Sequence, residues 1–145
     1  MKGIIYITLD QAKAIHAKTI EFSGGGMYEH FDLGRLDSVL QNIQNDDYYP
    51  TFEDKLTHLF YCTCEFHCFA DGNRRLAITL SAQFLLLNGY MAVAKSFFEI
   101  MENISYHVAA GKIKKELLHK IMIAIMAGTY DLDEELKLEI YNAIN

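Results

Sequence analysis

The chain has 145 residues, 51% hydrophobic and 22% charged, a size for one domain with a real core rather than a small disulfide-stapled scaffold. A formal net charge of −6 argues against nucleic acid as the main partner, because binding a phosphate backbone needs a basic face. Met1 to Thr8 is too short an apolar run before Asp10 and Lys13 to be a secretory signal, so a cytoplasmic chain is expected; Cys62, Cys64 and Cys68, an odd number on one predicted helix, then form no disulfide framework.

In chain order, Thr8-x-x-Gln11 is a capping-box pattern that opens a helix running to about Phe22, and Gly24, Gly25 and Gly26 end it. Leu36, Val39, Leu40 and Ile43 give the next helix its apolar stripe. Asp46 to Thr51 holds the only proline and a tyrosine pair, and from composition alone it reads as a connection between helices. Helices are predicted from about Phe52 to Phe69, Arg74 to Asn88, Ser96 to Ala110, Lys112 to Met126 and Asp133 to Ala143. Gly89, Gly111 and Gly128 stand at C-terminal stops. Leu76 to Ala94 carries no charge, but Thr79, Ser81, Gln83 and Asn88-Gly89 interrupt it, and roughly twelve continuous helical residues cannot cross a bilayer that needs about twenty. A central helix buried on all sides is expected instead, with no membrane contact. The acidic run Asp131 to Glu135 caps and solubilises a last helix. No repeat, low-complexity segment or long linker divides the chain.

The densest chemistry is in His67-Cys68-Phe69-Ala70-Asp71-Gly72-Asn73-Arg74-Arg75, a polar turn between two apolar segments. Gly72 permits a positive φ, and the N–H groups of Gly72, Asn73 and Arg74 are expected to open the next helix as an anion pocket aided by its dipole. Asp71 reads as an N-cap, as a carboxylate able to hold Mg²⁺ beside phosphates, or as both. His67 ends the preceding helix, where the dipole favours the cation and raises its basicity toward a hydroxyl proton. Arg75 offers a rigid fork of donors for phosphate oxygens. Taken singly, each is an ordinary core histidine or turn residue; the joint spacing is what points to a site.

The run H-x-F-x-D-G-N-x-R resembles the signature of the Fic/Doc family. The resemblance implies an all-α, Fic/Doc-like helical bundle with a central buried helix and a short β-hairpin flap. It implies one domain over residues 1–145, with the likeness extending from about residue 7 to about residue 128 and residues 129–145 forming a C-terminal helical extension. It also implies that His67 is the general base, Asp71 the Mg²⁺ ligand, Gly72 and Asn73 anion-hole positions, Arg75 a phosphate-contacting arginine and Phe69 the buried anchor of the loop. The flap would be Asp47, Tyr48, Tyr49, Pro50 and Thr51, pairing with the backbone of a target. Arg74 stands where Fic adenylyltransferases usually have Gly and Doc-type members have Lys, and Ile78 stands where the former carry a second Arg. Arg74 thus adds a cation at the phosphate site, and the chain looks closer to the Doc (death-on-curing) type, an impression that Leu80 to Tyr90 and Gly34-Arg35-Leu36 extend.

The resemblance therefore implies a toxin-like transferase. ATP or another nucleoside triphosphate, with Mg²⁺, would give its γ-phosphoryl group to a Ser, Thr or Tyr hydroxyl of a target protein, a translation factor being one candidate. Adenylylation is the alternative reaction, and a non-catalytic nucleotide- or peptide-binding module the alternative role. No restraining Ser/Thr-x-x-x-Glu-Gly/Asn helix is found, so an antitoxin in trans is expected. A zinc site on Cys64, His67 and Cys68, which fall at i, i+3 and i+4, lacks a second Cys/His pair to complete four ligands.

Overall fold

In the computed structural model of the chain, residues 3–22, 33–65 and 70–145 are described, with residues 19–22 and 70–73 described by backbone alone. Among them are helices α1 (Leu9–Phe22), α2 (Leu33–Asn42), α3 (Phe52–Cys64), α4 (Ala70–Leu87), α5 (Met91–Ala109), α6 (Lys115–Ala127) and α7 (Glu134–Ile144), with a 3₁₀ turn at Tyr130–Leu132. The described residues contain no strand, and none of their helices is long and apolar enough to cross a membrane.

Local sequence sets most helix ends. Thr8 Oγ1 accepts from Gln11 N–H at 3.1 Å while Gln11 Oε1 accepts from Thr8 N–H at 3.0 Å, the reciprocal cap expected of that pair. Thr51 and Asp54 repeat it at the start of α3. Gly128 closes α6 in the left-handed conformation at φ 75°, where a Cβ would be strained. Three starts differ from expectation. Ala70 rather than Arg74 opens α4. Met91 rather than Ser96 opens α5, because Gly89 at φ 86° turns the chain and Tyr90 serves directly as N-cap. Lys115 rather than Lys112 opens α6, because the Lys112 and Ile113 N–H groups are spent on the His107 carbonyl at the end of α5.

The β-hairpin expected over Asp47 to Thr51 is absent, and the backbone donors explain why. The Asp47 and Tyr48 N–H groups donate to Asn45 Oδ1 at 2.9 and 3.4 Å, and Tyr49 N–H donates to the Asn45 carbonyl at 2.9 Å. Pro50 has no N–H, and Thr51 N–H donates to Asp54 Oδ2 at 3.1 Å. Every donor of the segment is thus missing or satisfied by local Asx-turn and capping contacts, and none remains for a ladder.

The core sits where α4 meets α1, α3 and α5. Leu76, Ala77, Leu80, Phe84 and Leu85 of α4 are fully buried against Leu56, Leu59 and Phe60 of α3 and Phe97 and Met101 of α5. Burial is not complete on all sides, since Arg75 and Leu86 are exposed. Phe84 stacks on Phe52 at 4.6 Å and on Tyr6 at 6.1 Å, which brings the extended segment before α1 onto the end of α4. Asn88 secures that segment: its Oδ1 accepts from Ile5 N–H and its Nδ2 donates to the Ile5 carbonyl, both at 2.9 Å. Lys55 is fully buried, and its Nζ donates to the Ile43 carbonyl and to Asp46 Oδ1, each at 2.7 Å. Burial pulls its pKa down, hydrogen bonds to Asp46 and Tyr6 pull it up, and the net result is raised, so the side chain stays charged and clamps the 43–46 turn onto α3.

Candidate functional site

The polar signature spans the junction of α3 and α4. Helix α3 ends with Glu65 as C-cap, its N–H on the Tyr61 and Cys62 carbonyls at 3.1 and 3.2 Å. His67 and Phe69 lie outside the described residues. Asp71, Gly72 and Asn73 are described as backbone only and occupy the first turn of α4. That placement corrects the expected anion pocket: the N–H groups without a helical partner are those at the Ala70 to Gly72 turn, while Arg74 N–H falls within the i→i−4 ladder. Gly72 accordingly adopts a right-handed helical turn rather than the positive φ of a loop.

The two arginines diverge from this first turn, as consecutive helical residues must. Arg74 is half-buried, with Cζ 5.5 Å from the centroid of the Tyr106 ring on α5. Arg75 is exposed and lines a groove of about 340 Å³ between α4 and α5, together with Ile78, Thr79, Phe98, Glu99 and Glu102. Phe98, Glu102 and Tyr106 recur every four residues and so share one face of α5. Sequence reasoning passed over these α5 residues; the i, i+4, i+8 spacing of two aromatics around a carboxylate was the available signal.

Metal chemistry divides in two here. Of Cys64, His67 and Cys68 only Cys64 is described, and its thiol is pushed up to about 12 by burial, with Glu65 adding to the rise and Arg74 opposing it. A thiol held neutral is a poor zinc ligand. Among the described side chains no group of three or more His, Cys, Asp or Glu gathers in a way that could hold a metal ion. A single carboxylate such as Asp71 beside an anion site is by contrast the donor set Mg²⁺ accepts when phosphates supply the other oxygens.

The expected flap residues precede α3, a helix of 13 residues that rises about 20 Å, and the signature follows it. Tyr48 is 77% exposed, whereas Tyr49 packs on His58 with ring centroids 4.4 Å apart and its hydroxyl 3.2 Å from Nε2. Lys115 Nζ is 2.8 Å from Nδ1 of the same ring. An ammonium only donates, so Nδ1 accepts and Nε2 carries the proton toward Tyr49. Burial first, then the Lys115 charge, lowers the His58 pKa to about 4. Beside this cluster His119 Nε2 lies 2.8 Å from Asp54 Oδ1, joining α6 to the capped start of α3.

With that geometry in view, a family model described as the Fic/DOC family matches residues 6–85, more than half of the chain, and the chain belongs to that family. The matched stretch ends inside α4, short of the residue 128 expected from the sequence. No curated protein and no solved structure matches the chain. Fic/DOC proteins generally transfer nucleotide-derived groups to proteins, so membership suggests Fic-type protein modification.

Proposed function

We propose that the chain transfers the γ-phosphoryl group of a nucleoside triphosphate to a Ser, Thr or Tyr hydroxyl of a target protein. The observation that carries this reading is the pair of arginines that follow the first turn of α4, Arg74 half-buried against α5 and Arg75 exposed on the groove. Both arginines follow directly on the helix start at residues 70–72, whose N–H groups lack helical partners. Two cations beside open amides suit a polyphosphate. His67 takes the proton of the acceptor hydroxyl while the hydroxyl oxygen bonds to the γ-phosphorus and the bond from that phosphorus to the leaving nucleoside diphosphate breaks. Asp71 would hold Mg²⁺, whose charge offsets that of the phosphates.

Arg74 supports phosphoryl over nucleotidyl transfer. A glycine there would leave room for the terminal phosphates deep against the helix start and present the α-phosphorus to the acceptor; a long cation stands at that position instead, and Ile78 offers no second arginine for the tail phosphates. Segment 47–51 has no backbone N–H to offer a target strand, so a target would meet it through side chains, Tyr48 foremost. We place the activity in the cytoplasm, restrained by an antitoxin supplied in trans.

The test uses ATP labelled at the α or the γ position, Mg²⁺, and a lysate of the source cells, with the wild-type chain and His67→Ala in parallel. Protein labelling from γ, reduced about 100-fold or more in the His67 variant, is expected. Labelling from α alone would replace phosphoryl by adenylyl transfer. No heat on calorimetric titration with any Mg-triphosphate would remove the nucleotide reading itself.

A further inference from the structure

The proposed function leaves open what holds Arg74 in place. Its guanidinium hangs on a flexible stem, and an arginine that samples many rotamers would fill the space above the helix start only part of the time. The structure supplies a fixed surface for it. Tyr106 comes from the last turns of α5, a helix anchored in the core through Phe97, Met101, Ile104 and Val108, so its backbone is fixed even though its side chain is 58% exposed. Its ring lies beneath Arg74 Cζ at 5.5 Å and meets the His107 ring edge-on at 5.3 Å. Arg74 thus meets an aromatic face of α5, while Arg75, one residue on, faces open groove.

We propose that Tyr106 is a positioning residue: by stacking under Arg74 it fixes that guanidinium over the first turn of α4 and so selects which phosphorus of a bound triphosphate faces the acceptor. The inference rests on the proposed nucleotide reading and adds a determinant outside the motif, on a helix beyond the matched stretch of residues 6–85. A cation–π contact at a partly exposed site corresponds to a factor of about 2 to 5 in the population of the stacked state, and effects of that size are expected on binding.

The test is a double-mutant cycle on Tyr106→Leu and Arg74→Ala, with Tyr106→Phe as the conservative variant, read by calorimetry with Mg-ATP and by the ratio of γ to α label transferred. Tyr106 is largely exposed, so these variants keep the fold, which circular dichroism checks. Tyr106→Leu is expected to weaken Mg-ATP binding about threefold and to lower the γ to α ratio by a similar factor. Tyr106→Phe, which keeps the ring face, is expected to stay within about twofold of wild type, and Tyr106→Leu is expected to add nothing in the Arg74→Ala background. Wild-type affinity in Tyr106→Leu, failure of rescue by phenylalanine, or full additivity in the cycle would each overturn the positioning role while leaving the transferase reading standing. A wild-type chain that binds no triphosphate overturns both, and is told apart by the wild-type titration alone.

Discussion

His58 titrates well below the ordinary imidazole value, and the consequence is measurable. Folded, it titrates at about 4; unfolded, at the usual 6.5. Between those values the unfolded chain binds more protons, so stability is complete above pH 6.5, falls as pH drops through the window and levels off below about 4. The loss should reach about 1–2 kcal/mol once solvent screening of the partly exposed ring is allowed for. His16, also lowered by burial, adds with the same sign. Melting temperature at pH 7 against pH 5 checks this, and His58→Gln is expected to flatten most of the slope. Lys55 gives the complementary case. Replacing it by Met leaves the Ile43 carbonyl without its charged donor, at a cost of about 2–3 kcal/mol in urea unfolding, while Asp46, largely exposed, returns to water.

At the scale of elements, the sequence discloses whatever is decided within a few residues. Thr8 and Gln11 cap α1, and Leu36, Val39, Leu40 and Ile43 are the buried stripe that their spacing implies. The flap is misjudged from sequence because likeness alone argues for it over Asp46 to Thr51, while Asn45, one residue earlier, takes the N–H groups of Asp47 and Tyr48. The start of α4 is misjudged because Asp71, Gly72 and Asn73 are turn formers in isolation, yet the helix absorbs them. Thr51→Ala, which removes one half of the α3 capping box, is expected to cost about 1 kcal/mol. Gly128→Ala, at φ 75°, should cost a similar amount, about 1 kcal/mol, although its Cβ would meet open space, so a larger penalty in thermal melts would contradict a purely conformational origin.

For the molecule as a whole, Phe84 joins the segment before α1, the start of α3 and the body of α4 through Tyr6 and Phe52. Phe84→Ala is therefore expected to lower unfolding free energy by about 3–5 kcal/mol and to raise amide exchange first in residues 3–8. The candidate site is legible only in part for a related reason. Its signature residues are contiguous from His67 to Arg75, but the groups that meet Arg74 and Arg75, namely Tyr106, Phe98, Glu99 and Glu102, come from a helix that only folding brings alongside. Spacing marks Phe98, Glu102 and Tyr106 as one face of α5 but not what that face meets.

The double hydrogen bond between Ile5 and the Asn88 carboxamide has a mechanical side. Residues 83 apart in sequence are buttoned together, so the stretch from α1 through α4, signature included, forms a closed circuit whose contour does not lengthen until the button opens. A tension applied at Gly3 would meet that pair and the Tyr6–Phe84 stack before reaching any helix, and the chain should yield in two steps, a short one releasing the leading segment and a long one releasing the circuit. In optical-trap pulling, Asn88→Ala is expected to erase the first step and leave the second at nearly its original force.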